Sequence, residues 1–255
     1  MTRKNLALRI PPGYDLRDAV RTIAEWGLGA MAFDAIGPLA PRELSRTGRR
    51  EIRALMNSGG IALQAVAMPM RRSIVEIDQW DDRVSRMQAA MEMAYELGTG
   101  RVCLSPGAVP ADEIRRTVFK DHLRQLADAA EEHGVILTCE VGLDPFASLV
   151  ETVRDAAHPN LSVSLDPGRL VVSGQDVVAS AESAHDLIGL VYATDPEFQG
   201  LGLARRGQAV DWARLRETLE EISYRGRLTI WPDATADLLA VVPEMGRRLQ
   251  VTPKF

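Results

Sequence analysis

Eight short runs rich in β-branched and apolar residues, each followed by a stretch with helical spacing, alternate along the whole 255-residue chain. That alternation constrains the fold more than any single motif. Strands separated by helical crossovers pair in parallel and need both faces covered. The strand candidates are NLALRI (Asn5 to Ile10), GAMAFDA (Gly29 to Ala35), IALQAVAM (Ile61 to Met68), RVCLS (Arg101 to Ser105), GVILTCE ending at Glu140, LSVSLD ending at Asp166, IGLVYAT (Ile188 to Thr194) and RLTIW (Arg227 to Trp231). Asp15 is placed to cap a helix with Leu16, Ala19, Val20, Ile23 and Ala24 on one face, and Gly27 ends it. A longer helix from about Asp81 carries Val84, Met87, Met91, Ala94 and Leu97, a stripe read as core because methionine fills irregular gaps. Further helices are expected from about Asp112 to His133, more weakly from about Asp176 to Ala184, from Asp211 to about Ser223, and over Leu238, Val242, Met245 and Leu249. With no Pro/Gly/Ser-rich linker between units, residues 1–255 are expected to form one domain: an α/β fold, a single (β/α)8 TIM barrel rather than an open doubly wound sheet.

Composition narrows the partners. A net charge of −5 and a pI near 5.5 give no overall basis for holding a polyphosphate backbone, so no nucleic-acid partner is expected. No apolar run approaches the roughly 20 residues of a membrane helix, and the run after Met1-Thr-Arg-Lys is too short for a signal peptide. Cys103 and Cys139 lie inside strand candidates without CxxC spacing, which reads as reduced, buried thiols in a cytoplasmic protein.

The functional signal concentrates between Gly134 and Leu170. Two successive strand candidates each deliver a carboxylate at the C-terminal end, Glu140 from the fifth and Asp166 from the sixth. In parallel α/β folds that end carries the ligand site. The two acids are therefore expected to face one pocket, although an acid at a strand end can also simply cap the next helix.

Several phrases carry a family resemblance: GVILTCE, NLSVSLDPGR (Asn160 to Arg169), GLVYATD, VDW (Val210 to Trp212) and YRGRLTIW (Tyr224 to Trp231). Together with the order of elements they resemble the xylose isomerase-like barrels, a superfamily of sugar-phosphate isomerases and epimerases that also contains abasic-site endonucleases. The resemblance implies a divalent cation (Mn, Mg, Co or Zn) at the barrel mouth. It would be held by a Glu ending strand five, an Asp-x-x-His after strand six, a His-x-x-Asp closing strand seven and a Glu ending strand eight. Glu140 and Asp166 match the first two positions, and Asp195 keeps the last place of the strand-seven motif. Arg169 stands where the strand-six His is expected, Tyr192 replaces the strand-seven His and Trp231 replaces the strand-eight Glu. These replacements bind metal poorly or not at all. The four histidines do not compensate: His122 falls within a helix, and His133, His158 and His185 fall near strand starts, the wrong end for a site.

Two carboxylates in one pocket need a positive partner, since like charges a few ångström apart raise one pKa strongly. Arg169 is expected to supply it to both Glu140 and Asp166; the plainer alternative is that Arg169 points to solvent. No cofactor is expected, with a divalent cation (Mn, Mg or Zn) at Glu140 and Asp166 as the weaker alternative. As an isomerase or epimerase, the chain would use Glu140 as base, Asp166 as orienting acid and Arg169 as charge stabiliser next to a carbonyl. Arg9, Asp34 and Asp195 would shape the polar rim. Arg71-Arg72 and Arg205-Arg206 could grip a phosphate or carboxylate, unless these arginines are simply solvated. Tyr192 and Trp231 offer flat faces to a sugar ring, or Trp231 plugs the mouth that a metal once filled. The expected partner is a small sugar, sugar phosphate or polyol, with a homodimer open because related barrels often pair. The alternative is a non-catalytic ligand-binding barrel that keeps the fold and pocket.

Overall fold

The computed structural model describes residues 2–70, 72–142, 144–196, 209–232 and 237–250. Eight parallel strands close on themselves in sequence order: β1 (Leu6–Arg9), β2 (Ala30–Asp34), β3 (Ala62–Met68), β4 (Arg101–Leu104), β5 (Ile136–Cys139), β6 (Leu161–Leu165), β7 (Ile188–Ala193) and β8 (Leu228–Ile230). β8 returns to β1 with Ala7 opposite Thr229, so the barrel has no open edge. The expected (β/α)8 barrel is what the chain forms.

The connecting helices are α1 (Leu16–Glu25), α2 (Arg46–Ser58), α3 (Trp80–Leu97), α4 (Glu113–Glu132), α5 (Phe146–Ala156), α6 (Pro167–Val172), α7 (Val177–Ser183), α8 (Trp212–Glu221) and α9 (Leu238–Arg248). Many start where a short acid accepts the free N–H groups of the first turn: Asp15, Asp112, Asp176, Asp211 and Asp237 all do so. The methionine stripe of α3 is fully in the core. α6 follows β6 directly and was hidden in the sequence by Pro167 and Gly168; proline at the first helical position with Asp166 as its cap makes such a start favourable.

Alternation along the strands sorts side chains into two environments. Leu6, Leu8, Met31, Phe33, Val102, Val163 and Val191 point outward and pack under the helices. The interior instead holds small residues, Ala32, Ala65, Ala67 and Cys103, together with Leu190 and Tyr192. Barrels of this type are usually filled by bulky branched side chains. Here long guanidinium arms take up the space. At the N-terminal end Arg101 donates to Thr138 Oγ1 (2.6 Å) and Ser162 Oγ (3.2 Å). A Cβ on Gly189 would lie 2.2 Å from the Arg101 guanidinium, so glycine is needed there. At the C-terminal end the arm is Arg9.

Gly29 enters β2 with its Cα against the chain before β1, where an added Cβ would stand 2.1 Å from the Lys4 carbonyl oxygen. Gly29→Ala is expected to lower the urea midpoint, a loss of about 1–3 kcal/mol. Gly100→Ala meets nothing within 4 Å and should stay within about 0.5 kcal/mol of wild type. Equal effects of the two changes would contradict the tight closure at β1 and β2.

Candidate functional site

The strands deliver charged and aromatic side chains to one point at the C-terminal mouth. Arg9 closes β1, Asp34 closes β2, Glu140 and Asp166 follow β5 and β6, Tyr192 lies near the end of β7 and Trp231 follows β8. Arg9, only 3% exposed, is the hub. Its Nε donates to Asp34 Oδ1 at 2.9 Å, and one terminal nitrogen donates both to Glu140 Oε1 at 2.5 Å and to the Tyr192 hydroxyl at 2.8 Å. The Tyr192 O–H also donates to Glu140 Oε1. Ser105 completes the acid by donating to Oε2 at 3.1 Å. Above this cluster the Trp231 ring lies with its centroid 3.8 Å from the Arg9 guanidinium carbon, a cation–π contact, and it tilts onto Tyr192 at 4.7 Å.

Burial sets the electrostatics. It works against the charge on Arg9, but Glu140, Tyr192 and Asp34 hold the guanidinium pKa above its ordinary value. Burial pushes the Tyr192 phenol well up, and the Glu140 charge adds to this. Asp34 is raised by burial, with Arg9 pulling the other way. The Cys103 thiol, beneath the cluster, is pushed up to about 12 by burial first and Glu140 second, which leaves it unreactive.

Arg169 serves the second acid. Its Nε lies 3.0 Å from Asp166 Oδ2. Asp166 Oδ1 accepts from Thr194 Oγ1 at 2.5 Å and from the Arg169 backbone N–H at 3.1 Å, so the acid is at once a site residue and the cap of α6. Oδ2 is buried and accepts no hydrogen bond from the described residues. Burial raises the Asp166 pKa, and Arg169 opposes the shift. Thus the expected single cation is two: Arg9 balances Glu140 while Arg169 balances Asp166, and both guanidiniums approach Trp231, Arg169 at 5.0 Å. Three carboxylates (Asp34, Glu140, Asp166) face two guanidiniums. The raised pKa values of Asp34 and Asp166 follow from burying that excess.

Other expected site residues fall elsewhere. Asp195 does not shape the rim: it is fully buried on the outer side of the barrel, where Arg248 lies 2.7 Å and the Trp212 ring N–H 3.2 Å from its Oδ2. Tyr192 is 1% exposed beneath Trp231, so it offers no free stacking face. Arg72 is exposed and pairs with Asp78 at 3.0 Å, beyond the central cluster. Arg71, Arg205 and Arg206 lie outside the described residues. His122 stacks on Trp80, and His158 pairs with Asp128, both away from the mouth. Ser105 and Thr194 were missed, although each sits two residues beyond an inward-facing position and so shares its face. Beside Glu140 a cavity of about 230 Å³ opens between Gly107, Arg116, Gly142, Asp144 and Ser148.

The divalent cation implied by the resemblance does not fit these residues. Glu140 has a guanidinium on Oε1 and a serine hydroxyl on Oε2, so a cation there would have to displace Arg9. Among the described residues no group of three or more His, Cys, Asp or Glu converges as a metal would need.

A closed parallel barrel of this kind is a (β/α)8 barrel, the class whose characterised enzymes carry their sites at the C-terminal face. The chain belongs to the xylose isomerase-like TIM barrel family, whose model matches residues 20–244. D-psicose 3-epimerase with D-tagatose from Clostridium cellulolyticum H10 superposes with a TM-score of 0.79 at 16% identity, covering 96% of this chain and 95% of that one. 3-Keto-D-glucoside 4-epimerase from E. coli gives 0.77 at 13% identity, with 98% of each chain covered. The probable 3-DHS dehydratase involved in petrobactin synthesis from Bacillus anthracis gives 0.72 at 13% identity, covering 98% and 99%. At these identities the likeness is one of fold. No curated protein sequence matches.

Two outcomes test the cluster. Arg9→Met strands Glu140, 6% exposed, without its cation and is expected to cost about 3–5 kcal/mol in urea unfolding, whereas Arg9→Met/Glu140→Gln recovers part of the loss; a double variant no more stable than the single would contradict the pairing. Because the folded pKa of Asp166 lies above its unfolded value, native protein binds more protons through that window and stability falls as pH rises across it. The stability of Asp166→Asn relative to wild type should therefore increase with pH there, as read from unfolding curves; a flat or falling difference would contradict the assignment.

Proposed function

We propose that this chain is an isomerase- or epimerase-like barrel that takes a small sugar, sugar phosphate or polyol at its mouth and moves a proton next to the carbonyl, with guanidinium groups rather than a divalent metal balancing the charge. Sugars are the compounds named for the epimerases that share the barrel. The observation that carries the reading is Asp166 Oδ2: a buried carboxylate oxygen, accepting no hydrogen bond, on an acid whose pKa burial has raised, with a guanidinium 3.0 Å away. A base of that kind is poised nearer neutrality than an ordinary carboxylate, which favours proton transfer. Arg169, whose side chain is 31% exposed, can stabilise the enediolate oxygen as negative charge develops.

The role of base thus passes from Glu140 to Asp166, because both Glu140 oxygens are committed to donors within the protein. In an isomerisation Asp166 would take the proton from the hydroxyl-bearing carbon next to the carbonyl and return it on the same face to the former carbonyl carbon, while the hydroxyl proton passes to the former carbonyl oxygen; an epimerisation would use a second acid on the opposite face. In the same reading the partner is a small molecule, with no nucleic acid or membrane involved. The buried, unpaired thiols of Cys103 and Cys139 fit a reducing cytoplasm. No described helix is long and apolar enough to cross a membrane.

A second reading, a barrel that binds without turnover, is favoured by Trp231 lying over Arg9 and by the saturated bonding of Glu140. Incubation with a panel of ketoses, aldoses, their phosphates and inosose-type polyols in deuterium oxide separates the two. The proton-transfer reading predicts deuterium next to the carbonyl of at least one compound, lost in Asp166→Asn and reduced at least tenfold in Arg169→Met. Binding of a panel member without exchange supports the second reading and overturns the first.

A further inference from the structure

A second cavity is larger than the one beside Glu140. About 570 Å³ opens between the loops leaving β2 and β3 and the first turns of α3. That volume lies within the roughly 300–1,000 Å³ of small-molecule sites. It begins at Ala35, directly after the Asp34 that Arg9 holds, and therefore adjoins the mouth cluster without belonging to it.

Its lining is chemically divided. Met68, Met70 and Met87, with Ile36, give an apolar surface that adapts to varied shapes. Arg42, Arg72, Arg83 and Arg86 supply four guanidiniums, and Asp78 is the carboxylate in the described lining. Arg72 shares its charge with Asp78 at 3.0 Å, and Arg42 with Glu43 at 3.1 Å. The remaining two pair with no carboxylate among the described residues: Arg86 donates to the Asp82 carbonyl at 3.2 Å, and Arg83 to the carbonyls of Ser73 at 2.9 Å, Asp78 at 3.2 Å and Glu76.

Arg83 differs from the others because it is buried, 9% exposed, and faces no carboxylate among the described residues. Among the described residues its charge is met by carbonyl dipoles and by the Trp80 ring 5.1 Å away, and its buried Nε–H finds no acceptor. A buried donor without a partner is costly. Three of its N–H groups are taken by the β3-loop carbonyls, which leaves one N–H on the terminal nitrogen that donates to Ser73. An under-neutralised guanidinium at a cavity of ligand size is useful when an anion adds the missing charge and accepts from that N–H.

We infer that the cavity between the β2 and β3 loops is a binding site for an organic oxyanion, a phosphate or carboxylate head gripped by Arg83 and its neighbouring arginines with an apolar body against the methionines. This extends the oxyanion role expected of Arg72 to a built site centred on Arg83, and it does not depend on proton transfer at the mouth. Site occupancy would hold the β3 loop through the carbonyls that Arg83 already ties together.

Calorimetric titration of the full chain with phenyl phosphate, phenol and inorganic phosphate at low salt tests it. Phenyl phosphate is expected to bind once per chain, at least tenfold more tightly than inorganic phosphate or phenol, and more weakly as salt rises. Arg83→Met removes the charge and should weaken binding at least tenfold. Arg42→Gln/Arg72→Gln removes only exposed side chains, so it should fold normally and still weaken binding severalfold. Trp231→Ala, at the mouth, should leave affinity within twofold. Absence of phenyl phosphate binding, affinity unchanged in both arginine variants, or loss through Trp231→Ala instead would each overturn the site.

Discussion

The mouth of this barrel is organised by one guanidinium. Arg9 reaches up from β1 into an interior lined mostly by small residues and meets Asp34, Glu140 and Tyr192 at once. Two carboxylates brought this close in a buried space would otherwise repel, so the acids and the arginine are mutually required. Trp231 covers the cation and Tyr192 fills the gap beneath, which makes the cluster part of the barrel's packing as well as its charge balance. A consequence is that both oxygens of Glu140, the acid most conspicuous in the sequence, already accept from the protein, which is why the proposed base is Asp166.

Much of this was legible beforehand. Runs rich in β-branched and apolar residues located all eight strands, short acids marked helix starts, and the C-terminal ends of the strands picked out the residues that converge. What the sequence did not disclose was partnership. Arg169 lies three residues from Asp166 and was the natural partner for both acids; Arg9 is 131 positions from Glu140 and becomes its neighbour only when the barrel closes β1 against β8. Asp195 fell to a related error: it matches a family motif, but Tyr192 and Thr194 face inward, so the next residue must face out, where Arg248 meets it. Alternation would have warned against it. It would also have nominated Ser105 and Thr194.

The described surface of the mouth divides into regions with different chemistry. The centre, with Arg9, Glu140 and Tyr192, is closed under an indole. Beside it the buried Asp166 is ion-paired with a partly exposed guanidinium, that of Arg169. Further out lies an arginine-rimmed cavity with a methionine floor. A rigid ionic centre with open neighbouring subsites is a reasonable way to keep a barrel stable while its loops carry recognition.

The claim on which this rests is that an organic cation occupies the place where an inorganic one would be expected. Elemental analysis of the purified chain, followed by titration with Mn, Mg and Zn, addresses it directly. The account predicts no stoichiometric divalent metal in the protein as isolated, and no saturable uptake that changes with Glu140→Ala. One tightly held ion per chain, lost when Glu140 or Asp166 is replaced by alanine, would contradict it.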